Sequence, residues 1–573
     1  MCSALVGVLC IPSVAGAATV DGTGGVITYT AAAAETNTVT VSVSGFDIVV
    51  DDSTASLTSS GSCTGSGASV TCSGAFTSFV ASLDDGDDVL TISGTPVTST
   101  TVNLGDGNDT FTAAGTLDTV TDGAGNDTVS TGAGNDVLDQ GASANGADTL
   151  NGGTGTDTLD YSARTNPVTI SADGFANDGE SSEADSLGTS SSTFEVWKGG
   201  SGADTIAPGS TASTMDGGAG NDLYNELYAT AADTITDSGG TDEVKYFGRG
   251  AGVSVSIDGV ANDGSSSGAE GDNIPGSVEN ITGTNSADTL SGDSDSNTIL
   301  GNSGNDVIAG GDGDDTLNGN GGTDRIDEGS SANGADSINS TGGGSDSVDY
   351  SGRTNGVSIS FNGSADDGET TEGDNIGTAF VVADGGSGAD TFSGSSNNNT
   401  FRGNGGDDTF DEGGAKNGAD VLSGGAGTDT LNYSGRSASL TITSGSGAND
   451  GESAENDNIS DDFEIYLGSP QADTITGSVT PITVHGGDGA DVITGGSGAD
   501  TLDPGDTTAI DVISGGGGTD TVDYSSMSSA VTVDLGAGTS GTASEDTLTS
   551  IENASTGSGN DTLTGDVSSN ALS

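Results

Sequence analysis

Aspartate recurs every nine residues along much of this chain, each time inside a frame of glycines. In the run DGAGNDTVSTGAGNDVLD from Asp122, Asp127 and Asp136 lie nine residues apart, and Asp109 and Asp118 precede them at the same interval. Each unit reads GGxGxDxUx, where U is one apolar residue. Glycine permits tight turns, and the xUx triplet alternates as a short strand does. One unit is therefore predicted to form one turn and one strand.

A short, fixed period is typical of a solenoid, in which each repeat buries its apolar face only against its neighbours. Two units would make one coil, so that every second aspartate stacks on the same edge. At a strand spacing of roughly 4.7–4.9 Å, stacked carboxylates repel one another unless a cation lies between them. Carboxylate and glycine carbonyl oxygens favour calcium. Zinc is not expected, because thiols and imidazoles are almost absent.

The units resemble the calcium-binding nonapeptides of the RTX (repeats-in-toxin) family, also called haemolysin-type calcium-binding repeats. The resemblance implies an all-β fold, a parallel β-roll or β-solenoid with a small N-terminal β region, and multiple Ca²⁺ ions as cofactor. Asn297, Asn399 and Asn570 offer a neutral ligand where the motif has a carboxylate, and are weaker candidates. Carried over unit by unit, the resemblance names as metal ligands Asp109, Asp127, Asp136, Asp148, Asp157, Asp204, Asp222, Asp288, Asp306, Asp315, Asp324, Asp390, Asp408, Asp420, Asp429, Asp473, Asp491, Asp500, Asp520 and Asp561.

A longer repeat overlies the nonapeptides. Five blocks close on an aromatic segment such as LDYSAR at Tyr161 or VDYSGR at Tyr350, and an alternating strand follows before the nonapeptides resume. The predicted organisation is a secretory signal at 1–17, an N-terminal β cap or small β domain at 18–82, RTX blocks at 83–160, 199–245, 283–349, 385–432 and 468–523, connectors at 161–198, 246–282, 350–384, 433–467 and 524–556, and the start of a sixth block at 557–573.

The connectors carry a second acidic signature, such as NDGESSEAD from Asn177. Asp178, Glu180 and Asp185 in this copy form either a further calcium site or a solvated acidic loop, and the sequence favours neither. Spacings of twelve between repeat aspartates, as from Asp136 to Asp148, contain an NGAD segment. An enlarged turn accommodates the three extra residues, so the strand register is expected to survive.

The net charge of −77, from 86 acidic and nine basic residues, excludes nucleic-acid binding. Anionic membrane surfaces would also repel the chain. One apolar residue per nine buries little surface, so the metal-free chain is expected to be largely unfolded and to fold on binding calcium.

The N-terminus reads as an apolar stretch followed by Ala15-Gly16-Ala17, the small-residue pattern of a signal cleavage site. The basic residues that begin such signals are missing, so either the true start lies upstream or the stretch is an uncleaved apolar cap. After cleavage only Cys63 and Cys72 would remain. In a secreted protein they are a candidate disulfide; two free thiols are the alternative.

No HExxH or GxSxG motif is present, and nearly every carboxylate has a place in the repeat, so no enzymatic activity is expected. The predicted function is that of a secreted, extracellular or cell-surface calcium-binding protein that folds into a rigid β-roll outside the cell. The alternative is an adhesin, or an ice-, glycan- or ligand-binding module that uses the flat solenoid face. The expected partners are calcium ions and, in addition, a second copy of the chain or a cell-surface ligand, with no membrane span.

Overall fold

The computed structural model describes residues 17–187, 194–227, 230–268, 270–478, 481–505, 509–541 and 546–573. The predicted signal at 1–17 lies outside the described residues except for its last position. The described residues form strands and turns with no helix among them, which confirms the all-β prediction. The chain divides into two compact units, Met1–Arg249 with Val253–Thr282, and Gly250–Gly252 with Gly283–Ser573.

Nine strands precede the first repeat coils. Four pairs of consecutive strands among them are antiparallel, and the region is a β region, as its alternating runs predict. The last two strands of the nine pair in parallel with the first repeat strands, so this region continues directly into the coils. The strands β1–β9 are Ala18–Thr23, Val26–Thr30, Thr38–Ser44, Asp47–Asp52, Leu57–Gly61, Cys63–Gly67, Ser69–Ser73, Ser78–Ser82 and Val89–Ile92.

A disulfide joins Cys63 to Cys72. The two residues face each other across the antiparallel pair β6–β7, and both side chains are buried. Together the hairpin and its disulfide hold the region that precedes the first coil.

Coils of two strands follow in the first unit. Within a block of nonapeptides, each strand pairs in parallel with the second strand after it, as Thr128–Ser130 does with Thr149–Asn151, so two nonapeptides make one coil. The register passes unchanged through the twelve-residue unit that ends at Asp148. The strands β10–β27 are Ser99–Asn103, Thr110–Ala113, Leu117–Thr121, Thr128–Ser130, Val137–Asp139, Thr149–Asn151, Thr158–Asp160, Val168–Ser171, Gly179–Glu180, Val196–Lys198, Thr205–Ala207, Thr214–Asp216, Leu223–Asn225, Thr234–Thr236, Glu243–Lys245, Val253–Ser256, Gly264–Ser265 and Asn280–Thr282.

The second unit repeats this construction. Its strands β28–β43 are Thr289–Ser291, Thr298–Leu300, Val307–Ala309, Thr316–Asn318, Arg325–Asp327, Ser337–Asn339, Ser347–Asp349, Val357–Ser360, Ala365–Glu369, Asp374–Ile376, Val382–Asp384, Thr391–Ser393, Thr400–Arg402, Thr409–Asp411, Val421–Ser423 and Thr430–Asn432. The strands β44–β58 are Leu440–Thr443, Gly451–Glu452, Asn458–Ile459, Ile465–Leu467, Thr474–Thr476, Thr483–His485, Val492–Gly496, Thr501–Asp503, Val512–Gly516, Thr521–Tyr524, Thr532–Asp534, Thr539–Gly541, Asp546–Thr549, Asn553–Thr556 and Thr562–Thr564.

The core of each coil is the central residue of each strand. In the fourth block these residues are aromatic: Phe392 stacks on Phe410 with ring centroids 4.7 Å apart, and Phe401 lies 5.3 Å from Phe392. The flanking strand positions are more exposed, and the repeat aspartate immediately before each strand points inward. The fold thus brings one carboxylate per unit into the interior.

Candidate metal centre

The repeat aspartates form ladders that run from coil to coil. The backbone N–H of Asp109 donates to Oδ1 of Asp127 at 2.7 Å, and the N–H of Asp127 donates to Oδ1 of Asp148 at 2.7 Å. The second edge has the same arrangement, since the N–H of Asp136 donates to Oδ1 of Asp157 at 2.9 Å. In the second unit, Asp306 donates to Asp324 at 2.9 Å. One oxygen of each carboxylate therefore closes a turn of the neighbouring coil.

The other carboxylate oxygen, Oδ2, is buried in most units and accepts no hydrogen bond from the described residues. This is costly, because a buried charged oxygen without a partner loses its hydration and gains nothing in return. The Oδ2 atoms of four further aspartates also lack a hydrogen-bond partner, although the resemblance does not name these residues as metal ligands: Asp88, Asp118, Asp233 and Asp242. Among the predicted ligands, the oxygen without a partner belongs to Asp109, Asp127, Asp136, Asp148, Asp157, Asp222, Asp306, Asp315, Asp324, Asp408, Asp420, Asp429, Asp500 and Asp520.

The first aspartates of four blocks differ. Oδ2 of Asp204, Asp288, Asp390 and Asp473 accepts a backbone N–H from the residue four positions earlier, at 2.6, 2.6, 2.7 and 2.7 Å. Because their Oδ2 already accepts a hydrogen bond, these carboxylates are weaker candidates for calcium ligands. Asp491 continues its ladder by accepting the N–H of Asp473. Asp561 accepts the N–H of Val531 at 2.8 Å and is only partly buried.

The first glycine of the unit leaves space beside Oδ2. A Cβ atom built on Gly403 would lie 2.1 Å from Oδ2 of Asp408 and 2.4 Å from the carbonyl oxygen of Gly424 in the next coil. On Gly495 it would lie 2.2 Å from Oδ2 of Asp500 and 2.7 Å from the carbonyl oxygen of Gly515. Each space is thus lined by a carboxylate and a carbonyl oxygen. Such hard donors suit Ca²⁺.

The electrostatics of the ladders also favour a bound cation. Burial, the largest cause, and the charge of the neighbouring ladder carboxylate together raise the pKa of Asp127 and Asp148 to about 7, although a backbone hydrogen bond to each acts in the opposite direction. Burial and neighbouring acids likewise raise the pKa of Asp306 and Asp408 to about 7. Ionised carboxylates are therefore unfavourable in the folded state until a positive charge is added.

We expect Gly515→Ala to lower the free energy of unfolding of the calcium-loaded protein by about 1–3 kcal/mol, the usual cost of overfilling a packed site. The added methyl group would lie 2.4 Å from Oδ2 of Asp520 and 2.2 Å from the carbonyl oxygen of Ser550. The matched control is Gly517→Ala in the same turn, where a Cβ meets nothing within 4 Å. Urea unfolding in the presence of calcium measures the free energy of unfolding of both variants. Equal losses would contradict the assignment of this space to a bound cation.

The connectors supply ladder residues that the nonapeptide pattern does not contain. Asp185 accepts the N–H of Asp148 at 2.9 Å, and Oε2 of Glu195 accepts the N–H of Asp157 at 2.9 Å. The equivalent glutamates elsewhere are Glu279, Glu464 and Glu552. Sequence reasoning missed these glutamates. The available signal is a glutamate after an apolar residue near the end of four of the five connectors, as in FEVW and FEIY; the third connector has FVVA at this place.

Several acids of the connector segments are buried, unlike those of a solvated loop, although other residues of the same segments are exposed. Asp178 and Asp185 are at most 1% exposed. Oδ1 of Asp178 accepts the N–H of Ser171, and Oδ2 of Asp185 accepts the hydroxyl of Tyr161 at 2.7 Å. Glu180 forms an ion pair with Arg164 at 3.1 Å. Their first roles are thus to fix the connector against the preceding block.

An arginine organises each of the first four connectors; three of these arginines are buried, and Arg249 in the second connector is partly buried. Arg436, for example, has a fully buried side chain and pairs with Glu455 at 2.8 Å. It also donates to the carbonyl oxygen of Glu412 at 2.8 Å and to Oδ1 of Asn417 at 2.6 Å, and it lies 5.3 Å from the ring centroid of Tyr433. The corresponding arginines are Arg164, Arg249 and Arg353.

Parallel two-strand coils with rows of inward carboxylates define a repetitive cation-binding β-roll. The comparison with family models agrees, and by it the chain belongs to the proteins built from RTX calcium-binding nonapeptide repeats. A comparison with curated proteins finds no match. The family model, which spans four copies of the repeat, matches residues 103–138, 143–163, 198–225, 277–308, 300–329, 384–414, 415–435, 483–508, 506–526 and 541–572.

No helix in the part of the chain that the structure describes is long and apolar enough to cross a membrane.

Proposed function

We propose that this protein is a secreted, non-catalytic calcium-binding protein with a structural or cell-surface role, whose coils fold into a rigid β-roll when calcium binds. The observation that carries the proposal is the row of buried Oδ2 atoms without hydrogen-bond partners. Hydrogen bonds within the protein satisfy the other oxygen of each of these carboxylates, so a cation is the partner that the remaining oxygen needs.

Calcium is the cation that best fits these ladders. The donors are carboxylate and carbonyl oxygens, while His485 is the sole histidine and lies beside Asp503, at 3.1 Å. Extracellular calcium sites have dissociation constants of roughly 10⁻⁴–10⁻³ M. Sites in this range would stay empty in a cell and fill outside it, which makes folding follow export.

The location outside the cell has separate support. The disulfide between Cys63 and Cys72 belongs to an oxidising compartment. The net charge of −77 would make the metal-free chain expand through self-repulsion. An expanded, flexible chain suits export better than a rigid one.

A calcium titration of residues 18–573 followed by far-UV circular dichroism tests this proposal. We expect a cooperative gain of β signal with Ca²⁺ and a much smaller one with Mg²⁺, which demands a near-ideal octahedral site and dehydrates reluctantly. A β spectrum that is already complete in chelator and unchanged by calcium would overturn the proposal.

A second candidate function uses the strand faces for recognition, as an adhesin or an ice- or glycan-binding module. It is favoured by threonines that align across neighbouring coils, as Thr391, Thr409 and Thr430 do in register. Replacing these three by serine would leave calcium-dependent folding intact under either function. Lost adhesion to cells, glycans or ice would support recognition.

A further inference from the structure

Glu328 stands where the first glycine of a unit is expected, at the start of the twelve-residue segment EGSSANGADSIN. Its side chain is fully buried. Oε2 accepts a hydrogen bond from Nδ2 of Asn333 at 3.1 Å, but Oε1 has no hydrogen-bond partner. A side chain at this position points toward the ladder, since a Cβ on the equivalent Gly310 would lie 2.0 Å from Oδ2 of Asp315.

The same construction occurs three times among the residues that the structure describes. In each group one acid replaces the first glycine of a unit, and the other two are successive members of one ladder. Three carboxylate oxygens thereby lie within 4.8 Å of one another in Asp122 with Asp127 and Asp148, in Asp222 with Asp237 and Asp242, and in Glu328 with Asp336 and Asp374.

The group at Glu328 lies at the junction between the third block and its connector. Tyr350 donates its hydroxyl to Oδ2 of Asp374 at 2.7 Å, and the N–H of Asp336 donates to Oδ1 of Asp374 at 2.9 Å. Arg353 is the adjacent cation, but its guanidinium pairs with Glu372 at 2.8 Å and with Glu369 at 3.3 Å. The positive charge of Arg353 is therefore already matched by other carboxylates.

We infer that Glu328, Asp336 and Asp374 form a divalent-cation site for Ca²⁺ that the nonapeptide motif does not encode. The acid in place of the first glycine supplies the third carboxylate, and the unpartnered Oε1 of Glu328 is the oxygen that the ion would satisfy. The inference rests on the proposed function, since it adds a site to a calcium-binding chain. Its consequence is that calcium also fastens a connector to its block.

The fourth block provides a matched control. Glu412 occupies the same position and is equally buried, but it forms an ion pair with Nη2 of Arg436 at 3.5 Å and accepts Nδ2 of Asn417 at 2.8 Å. Glu412, Asp420 and Asp457 are not among the three groups of close carboxylates that the described residues contain. Arg436 thus forms an ion pair with the carboxylate of Glu412, whereas Arg353 donates to the backbone carbonyl oxygen of Glu328, at 2.7 and 3.0 Å, and forms its ion pairs with Glu369 and Glu372.

The test uses the full chain with Ca²⁺ and with Tb³⁺ as a luminescent calcium substitute excited through tyrosine. Tyr350 touches the ligand Asp374, so an ion in this site is well placed for excitation. We expect Glu328→Gln to weaken one class of tyrosine-excited Tb³⁺ sites by about tenfold or more, because ligand charge sets calcium affinity. Glu412→Gln is expected to leave the Tb³⁺ titration unchanged.

Crystals of the calcium-loaded wild-type chain give a test that does not depend on the folding of a variant. An anomalous peak among Glu328, Asp336 and Asp374, at about 2.3–2.6 Å from their oxygens, is the expected result. Peaks along the ladders with none in this group would overturn the inference and leave the proposed function standing. Identical Tb³⁺ titrations of Glu328→Gln and Glu412→Gln would also overturn the inference and leave the proposed function standing. Glu328 would then hold a proton in place of the ion. An absence of calcium at every site would count against the proposed function itself.

Discussion

Replacing Arg436 by methionine is expected to lower the free energy of unfolding of the calcium-loaded protein by about 3–5 kcal/mol, the cost of breaking a buried ion pair by removing one partner. The guanidinium is fully buried and pairs with Glu455, whose side chain is also 0% exposed. Methionine fills similar volume but leaves this carboxylate, and that of Glu412, without a positive charge. Urea unfolding in saturating calcium, followed by circular dichroism, measures the effect.

The control for this substitution is Arg402→Met in the same unit. Arg402 pairs with Asp384 at 2.9 Å, but its side chain is 49% exposed. Exposed ion pairs of this kind contribute about 0–1 kcal/mol. If the two variants lost similar free energies of unfolding, the burial of Arg436 would not be the source of the stability.

The calcium-free chain, largely unfolded near pH 7.5, is expected to gain folded β structure as the pH is lowered to about 5, the opposite of ordinary acid denaturation. Burial raises the pKa of Asp127, Asp306 and Asp408 to about 7, above the value near 3.8 of the unfolded chain. Between these values the folded form holds more protons than the unfolded form. The resulting stability is present in full below pH about 4 and is lost as the pH rises through about 7.

Far-UV circular dichroism in calcium-free buffer across this pH range measures the gain of β structure. With saturating calcium the direction should reverse, because protons then compete with the ion for the same carboxylates. A β signal that grows as the pH rises in the absence of calcium would contradict the assignment of raised pKa values to the ladders.

The nonapeptide period predicted the coils because each unit carries its own turn residues and its own buried residue. The sixth-position aspartate is locally specified, so the ladder positions of Asp127 and Asp306 follow from spacing alone. The stacking of every second aspartate also follows, since two units close one coil. Even the twelve-residue units fit, because an enlarged turn leaves the strands in register.

The connectors were not predictable in the same way. Asp185 joins a ladder through a contact with Asp148, which lies 37 residues earlier. The burial of Arg436 depends on partners from two separate segments. From composition alone, the acidic segments of the connectors look like solvated loops. The difference between Glu328 and Glu412 is likewise a matter of which arginine contacts form, and no local pattern encodes it.

We expect buried ladder carboxylates, and not the acidic surface, to bind the calcium. The measurement is equilibrium calcium binding by the full chain in which Asp306, Asp315 and Asp324 are replaced together by asparagine. The control replaces the exposed Asp295, Asp312 and Asp488 and changes the net charge equally. Calcium ions lost from the first variant and retained by the second are the predicted result. Equal binding by the two variants would contradict calcium binding by the ladders.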